Sequence, residues 1–268
     1  MLEYSTTKLK KQAERRVHMS KIGLIGCGWL GRPLAISLAK EHQVQCFSRK
    51  EQTKRGLDYV LNPKEGHPFW DKEIFIIAIS TKDDYLNTLE DVARKCSPSA
   101  SIILMSSTSV YKEFEGEVDE TARITQKSTQ VQAEELMLSL REKLLILRLG
   151  GLMGKDRIAG RWKSVSTFTD GPVNYIHQDD VIAIVQKMID KKIQEGVFNL
   201  VAPEHPLRSQ VHQKNSEKFG FELGSFTKET PDGRFQGLSD RVVNADKIIK
   251  TLEYAFINPN PLEFWSSL

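Results

Sequence analysis

The chain has 268 residues, of which 40% are hydrophobic and 27% charged, and carries a formal net charge of +3 at pH 7. This is the composition of a soluble globular protein, with room for one large α/β domain or a cofactor domain plus a small second lobe. No run approaches the ~20 apolar residues of a membrane helix, so a membrane role is not expected.

Residues 1–19 hold Lys8, Lys10, Lys11, Arg15 and Arg16 against Glu3 and Glu14, which accounts for the whole excess charge. The remaining body is neutral and offers no electrostatic footprint for nucleic acid. The tail lacks the apolar segment of a secretory signal. It reads as a short basic helix, an arm, or an early start ahead of Met19.

The first strand is expected at Lys21-Ile22-Gly23-Leu24-Ile25. It runs into Gly26-Cys27-Gly28-Trp29-Leu30-Gly31 and then into a helical pattern through Ala39. Strand, glycine turn and helix in this order mark a dinucleotide-binding turn. Gly26 suits the tight turn, Gly28 lets backbone approach a pyrophosphate, and Gly31 lets helix and strand pack closely. Trp29 and Leu30 complete the turn, and the amides at the helix start favour phosphate.

The second strand, Gln43–Ser48, ends where a ribose-reading residue belongs. An acidic residue there would select NAD. The chain instead reads Ser48-Arg49-Lys50, followed by Lys54 and Arg55. A guanidinium pairs with a 2′-phosphate through two parallel bonds, so NADP is favoured over NAD, with Arg49 and Ser48 as its readers. The alternative is a solvated basic loop.

Further strands are expected at Glu73–Ile79, Ala100–Ser106 and Lys143–Leu149, with helices over Asp83–Arg94, Ser128–Glu142 and Asp179–Ile189 between and after them. Continuous apolar strands alternating with helices predict a doubly wound parallel sheet buried on both faces. Ligands in such sheets sit outside the carboxyl ends of the strands, which gathers Ser80, Ser107 and Gly150-Gly151 around one crevice. The expected organisation is a basic tail (1–19), a dinucleotide-binding domain (20–150) and a smaller substrate lobe (151–268) that partly returns to the main sheet. Arg157 and Arg161, four apart, are candidates for holding a carboxylate or phosphate on a small-molecule substrate; the alternative is a surface loop.

Cys27, Cys46 and Cys96 are widely spaced and suggest neither a disulfide framework nor a metal pattern, which fits a reducing cytoplasm. His177 precedes Asp179 and Asp180, a pattern that caps a helix start rather than forming a base or a metal ligand set. No other histidine shows ligand spacing, so no metal is expected.

The stretch Met105-Ser106-Ser107-Thr108-Ser109-Val110-Tyr111 resembles the signature strand of extended short-chain dehydrogenase/reductases, the NAD-dependent epimerase/dehydratase group. Gly116, Asp119 and Glu120 follow as in that group. Similar too are Arg148–Gly154, Asn174–Val181, Val197–Val201, and Arg241–Asn244 with Asn258-Pro259, so that the likeness spans most of residues 20–265. The resemblance implies a Rossmann fold, an NAD(P)-dependent oxidoreductase or epimerase chemistry, and assembly as a homodimer.

Two departures stand out. The family's glycines are usually spaced G-x-x-G-x-x-G, and its active members carry Tyr-x-x-x-Lys before an Ala-Glu pair. Counting back from Ala133-Glu134 puts Gln126 at the tyrosine position and Gln130 at the lysine position, and neither amide titrates. Ser107 aligns with the family's substrate-bonding Ser/Thr, and Tyr111 is the nearest phenol; these two are the candidate catalytic residues. Lys127, beside the empty tyrosine position, reads as a solvated lysine. Two functions therefore stand. One is an NADP(H)-dependent reductase or epimerase acting on a small polar carbonyl or sugar-like substrate. The other is a non-catalytic NADP(H)-binding redox sensor.

Overall fold

Seven strands, all paired in parallel, build the central sheet: β1 (Lys21–Ile25), β2 (Gln43–Ser48), β3 (Asp58–Leu61), β4 (Ile74–Ile77), β5 (Ser101–Ser107), β6 (Leu144–Leu149) and β7 (Gly196–Leu200). The computed structural model describes residues 19–49, 56–81, 84–125, 127–162, 167–227 and 240–266. Lys50, Lys54, Arg55 and Gln126 lie outside the described residues.

The strand order is β3-β2-β1-β4-β5-β6-β7. The chain winds outward from β1 to β3, then crosses back to β4 and winds the other way. The reversal between β1 and β4 is the switch point where doubly wound sheets bind ligands. The fold is the expected Rossmann-like α/β architecture.

Side chains alternate faces along each strand. In β5, Ile103 and Met105 join one core cluster, while Ile102 and Leu104 join the other. The first cluster is covered by α1 (Gly31–Leu38), α4 (Gln178–Asp190) and α6 (Asp246–Leu252), which contribute Leu34, Leu38, Ile184, Met188 and Ile248. The second is covered by α2 (Tyr85–Lys95) and α3 (Thr129–Leu140), through Leu89, Val92, Ala133 and Met137. Burial on both sides explains why β6 reads as an unbroken apolar run apart from Arg148.

The sequence pattern carried the third helix to Glu142, but α3 ends at Leu140. Arg141 is extended at φ −138°, and its buried guanidinium donates to the carbonyl oxygens of Ala93, Cys96, Ser97 and Ala100. Those contacts satisfy the carbonyls of the chain leaving α2, so a tertiary partner stops the helix early.

Outside the central sheet the described residues form three two-stranded pairs: Gly151–Met153 with Tyr175–His177, Thr167–Thr169 with Ser225–Thr227, and Glu117–Val118, which precedes β6, with Val242–Val243. A separate small core of Met153, Ile158, Val173, Tyr175, Val211, Phe264 and Trp265 holds α5 (Arg208–Phe219) against this region. Meanwhile β7 pairs with β6 at the edge of the main sheet, and α4 packs over α1. The later half of the chain is thus interleaved with the first.

Candidate functional site

The glycine turn closes β1 against the end of β4. Gly28 donates its amide to the Gly26 carbonyl at 2.8 Å, and Ala78 donates to Ile25 at 2.8 Å. Gly26 has φ +101°, and a Cβ there would meet the Ala78 carbonyl oxygen at 2.4 Å. A Cβ on Gly31 would stand 2.1 Å from the Gly26 carbonyl oxygen. Only glycine fits these two positions, because backbone packs directly on backbone.

Gly28 differs. It is exposed, and a Cβ built on it meets nothing within 4 Å. Its bareness serves no internal packing and leaves an open cradle beside the start of α1. No side chain caps that helix end, where buried Leu30 occupies the N-cap. Within the first turn Arg32 donates its amide to the Gly28 carbonyl at 3.0 Å and Pro33 carries no N–H, so the amides left for an anion at this helix start are those of Trp29, Leu30 and Gly31.

Sheet register brings the other candidates to the same edge. Ile25 pairs with Phe47 of β2 and Ile77 of β4, and Ile77 pairs with Leu104 of β5. One step further on stand Gly26, Ser48, Ala78 and Met105. Ser48 is buried at the end of β2; Arg49 is exposed, with its carbonyl accepting from the Asn62 side chain at 3.2 Å. Ser80 is exposed just past β4. Ser107 ends β5, half-buried, and its Oγ accepts from the Ser109 amide at 3.1 Å. Its hydroxyl proton is not used by that bond.

Tyr111 behaves otherwise. It is fully buried, donates its hydroxyl to Asn199 Oδ1 at 3.0 Å and accepts from Arg148 Nη1 at 2.6 Å. Burial raises the phenol's pKa, with the Arg148 charge opposing. The hydroxyl expected to be catalytic is thus enclosed and held on both sides, an arrangement that suits a structural phenol. Its partner Arg148 also pairs with Glu134, Nη2 to Oε2 at 2.7 Å, and Glu134 accepts from Ser106 Oγ at 2.5 Å. Ala133-Glu134 served in the sequence only as a landmark. In the structure its carboxylate anchors the floor beneath the β5 end.

Arg157 and Arg161 are both exposed. Arg157 lies with its guanidinium 4.2 Å from the centre of the Trp29 ring, and Trp29 Nε1 donates to Asp156 at 2.8 Å. The Trp29 carbonyl accepts from Gln178 at 2.7 Å. The glycine turn is therefore clasped by the segment after β6 and by the start of α4, contacts spanning more than a hundred residues that no local pattern announces. Gln130 is half-buried on α3, and Lys127 is exposed ahead of it.

No protein-family profile matches the chain. Among curated proteins it is 26% identical over 277 residues to Protein YeeZ of Escherichia coli, covering 91% of this chain and 98% of that protein. Among solved structures it resembles a conserved protein of unknown function from Silicibacter pomeroyi (TM-score 0.76, 22% identity, 93% and 98% of the two chains). It also resembles a short-chain dehydrogenase/reductase superfamily protein from Agrobacterium tumefaciens with bound NAD (0.68, 16%, 91% and 95%). A third is the human epimerase family protein SDR39U1 with NADPH (0.68, 14%, 92% and 100%). The chain has the fold of these proteins.

His177 caps α4, accepting from the Asp179 amide at 3.2 Å. Burial lowers its pKa, with Asp179 and Asp180 opposing. Asp180 is fully buried and accepts from Tyr254, Ile257 and Asn258, so this carboxylate organises the fold.

At the opposite, amino end of the sheet, Glu41, His42 and Asp190 hold ligand-type atoms within 4.8 Å of one another, beside a cavity of about 780 Å³. The Ser20 amide donates to His42 Nδ1 at 3.4 Å. The Nε2 of that ring is buried with no hydrogen-bond partner among the described residues.

One sequence expectation fails outright. Cys27 and Cys46 form a disulfide, with Cα atoms 6.3 Å apart, while Cys96 is free and buried. The β1–β2 pairing puts Leu24 beside Cys46, and the turn after Ile25 folds Cys27 back over it. A separation of 19 residues hides this proximity. Burial pushes the Cys96 thiol up to about 12, an inert thiol. Among the described residues, no helix is long and apolar enough to cross a membrane.

Proposed function

We propose that this chain is an atypical member of the extended short-chain dehydrogenase/reductase group that binds NADP(H) in the crevice between β1 and β4. One observation carries the reading: Gly28 is bare although packing does not require it, and it stands beside an uncapped helix start at the switch point. A pyrophosphate fits that cradle, held by turn amides. Arg49 and Ser48 at the end of β2 would meet the 2′-phosphate, and Ser80 would line the path toward the nicotinamide. The relatives solved with NAD and NADPH agree with a nicotinamide dinucleotide.

When bound, the cofactor supplies or takes the hydride. Ser107 holds the substrate's carbonyl or hydroxyl oxygen with its unused proton, and Arg157, seated on Trp29, attracts an anionic group. The substrate is a small polar carbonyl compound or a sugar-like one. Gln130 can orient a substrate but cannot exchange a proton, so proton transfer falls to water or to the substrate itself.

The burial of Tyr111 favours a second reading, a non-catalytic NADP(H)-binding redox sensor. Calorimetric titration with NADP⁺, NADPH, NAD⁺ and NADH tests the first step. NADP(H) is expected to bind at least tenfold more tightly than NAD(H); no binding of any of the four refutes both readings. Hydride exchange with a panel of carbonyl substrates, lost in Ser107→Ala, supports the enzyme. A conformational response to NADPH without turnover across that panel supports the sensor.

A further inference from the structure

The disulfide sits where it touches both halves of the cradle. Cys27 lies between the two glycines whose backbone shapes the phosphate turn, and Cys46 is two residues before Ser48, where the strand ends just ahead of Arg49. Their Cα separation of 6.3 Å falls within the roughly 4.4–6.8 Å that a disulfide spans, so the thiols meet without moving the strands. The bond fixes the phosphate turn to the ribose-reading strand. The two cysteines differ in exposure: Cys46 is fully buried in the core, whereas Cys27 is half-buried at the turn.

We propose that Cys27–Cys46 is a thiol–disulfide exchange site on the dinucleotide cradle, open to dithiol reductants and to glutathione disulfide, and that dinucleotide affinity follows its state. The coupling rests on the dinucleotide reading given above; the exchange chemistry does not.

Exposure dictates the order of events. A reductant thiolate attacks the Sγ of Cys27, the less buried cysteine; the Cys27–Cys46 bond breaks, and Cys46 leaves as a thiolate that takes a proton. The second thiol of the reductant then attacks its own sulfur in the mixed disulfide and releases Cys27. Two electrons and two protons pass to the protein, and the dithiol becomes a disulfide. In reverse, the Cys27 thiolate attacks glutathione disulfide and expels one glutathione. Cys46 then displaces the other glutathione and closes the ring. Cys96, fully enclosed with a raised pKa, takes no part.

The oxidised form holds the turn in the conformation seen here, with Gly28 open and Gly26 at φ +101°. Reduction removes the tether and returns conformational freedom to a glycine-flanked residue, which ligand binding must then suppress. Oxidised protein is therefore expected to bind NADP⁺ about fivefold or more tightly than reduced protein.

The test uses the full chain equilibrated with dithiothreitol or with excess glutathione disulfide, then acid-quenched, denatured and alkylated. Whole-protein mass should show three alkylated cysteines in the first case and one in the second. Three in both, or a stable glutathione adduct on Cys27, overturns the exchange site. Calorimetry with NADP⁺ on the two forms reads the coupling, and equal affinities overturn it. Cys27→Ser and Cys46→Ala should each bind NADP⁺ like the reduced form under both conditions. Cys46→Ala leaves the phosphate turn itself untouched. If neither form binds any dinucleotide, the cofactor reading and the coupling fall together, while the alkylation count still decides the exchange chemistry.

Discussion

Glycines 28 and 31 look equivalent in sequence, yet the structure assigns them opposite consequences. A side chain at Gly31 must displace the Gly26 carbonyl, which it would approach to 2.1 Å. Backbone on both sides resists relaxation, so Gly31→Ala should cost about 3 kcal/mol, ~6–12 °C in Tm for a chain of this size. A side chain at Gly28 meets nothing within 4 Å, and Gly28→Val should change stability by no more than about 0.5 kcal/mol. It would instead fill the cradle. Losing two amide-to-phosphate bonds of about 1.5 kcal/mol each predicts a loss of ~3 kcal/mol, ~100-fold in NADP⁺ affinity. Thermal denaturation and calorimetry on both variants separate the effects. The reasoning fails if Gly28→Val melts as early as Gly31→Ala, or if it binds NADP⁺ with wild-type affinity.

Arg49→Asp should weaken NADP⁺ more than tenfold while leaving NAD⁺ within about threefold, since only the 2′-phosphate is repelled; equal losses for the two would remove that role from Arg49. Tyr111→Phe should cost about 1–3 kcal/mol in urea denaturation, because Arg148 and Asn199 lose a buried partner. Full stability with lost turnover would instead put the phenol in the chemistry. Stability should also fall as pH drops from 6.5 toward 4. His212 is fully enclosed, and burial, aided by the Arg208 charge and opposed by Asp170, pushes its pKa down to about 4. In that window the unfolded chain takes up a proton that the native ring refuses, for a loss on the order of 3 kcal/mol that levels off below pH 4. His177 and His205, also lowered by burial, act in the same direction. His212→Gln should flatten part of this slope, and an unchanged profile would refute the assignment.

Much of the architecture was written locally. The apolar run of β1, the glycines behind it and the helical pattern after them determine a βα unit, because each feature acts within a few residues of itself. The burial of β5 and β6 on both faces was legible for the same reason, and so was the cap at His177. The ends of the strands, where ligands gather in any doubly wound sheet, followed from the alternation of elements.

Other features had no local trace. Only the folded sheet brings Cys27 to Cys46, Trp29 to Asp156 and Arg157, and His42 to Asp190. Tyr111 read as an available phenol until packing enclosed it with Arg148 and Asn199. Glu134 became a buried anchor only when α3 settled over β6. Periodicity determines which face of an element is apolar, because that depends on spacing along one chain segment. Which polar groups meet across the crevice depends on strand register and helix packing, and those are set by the whole core at once.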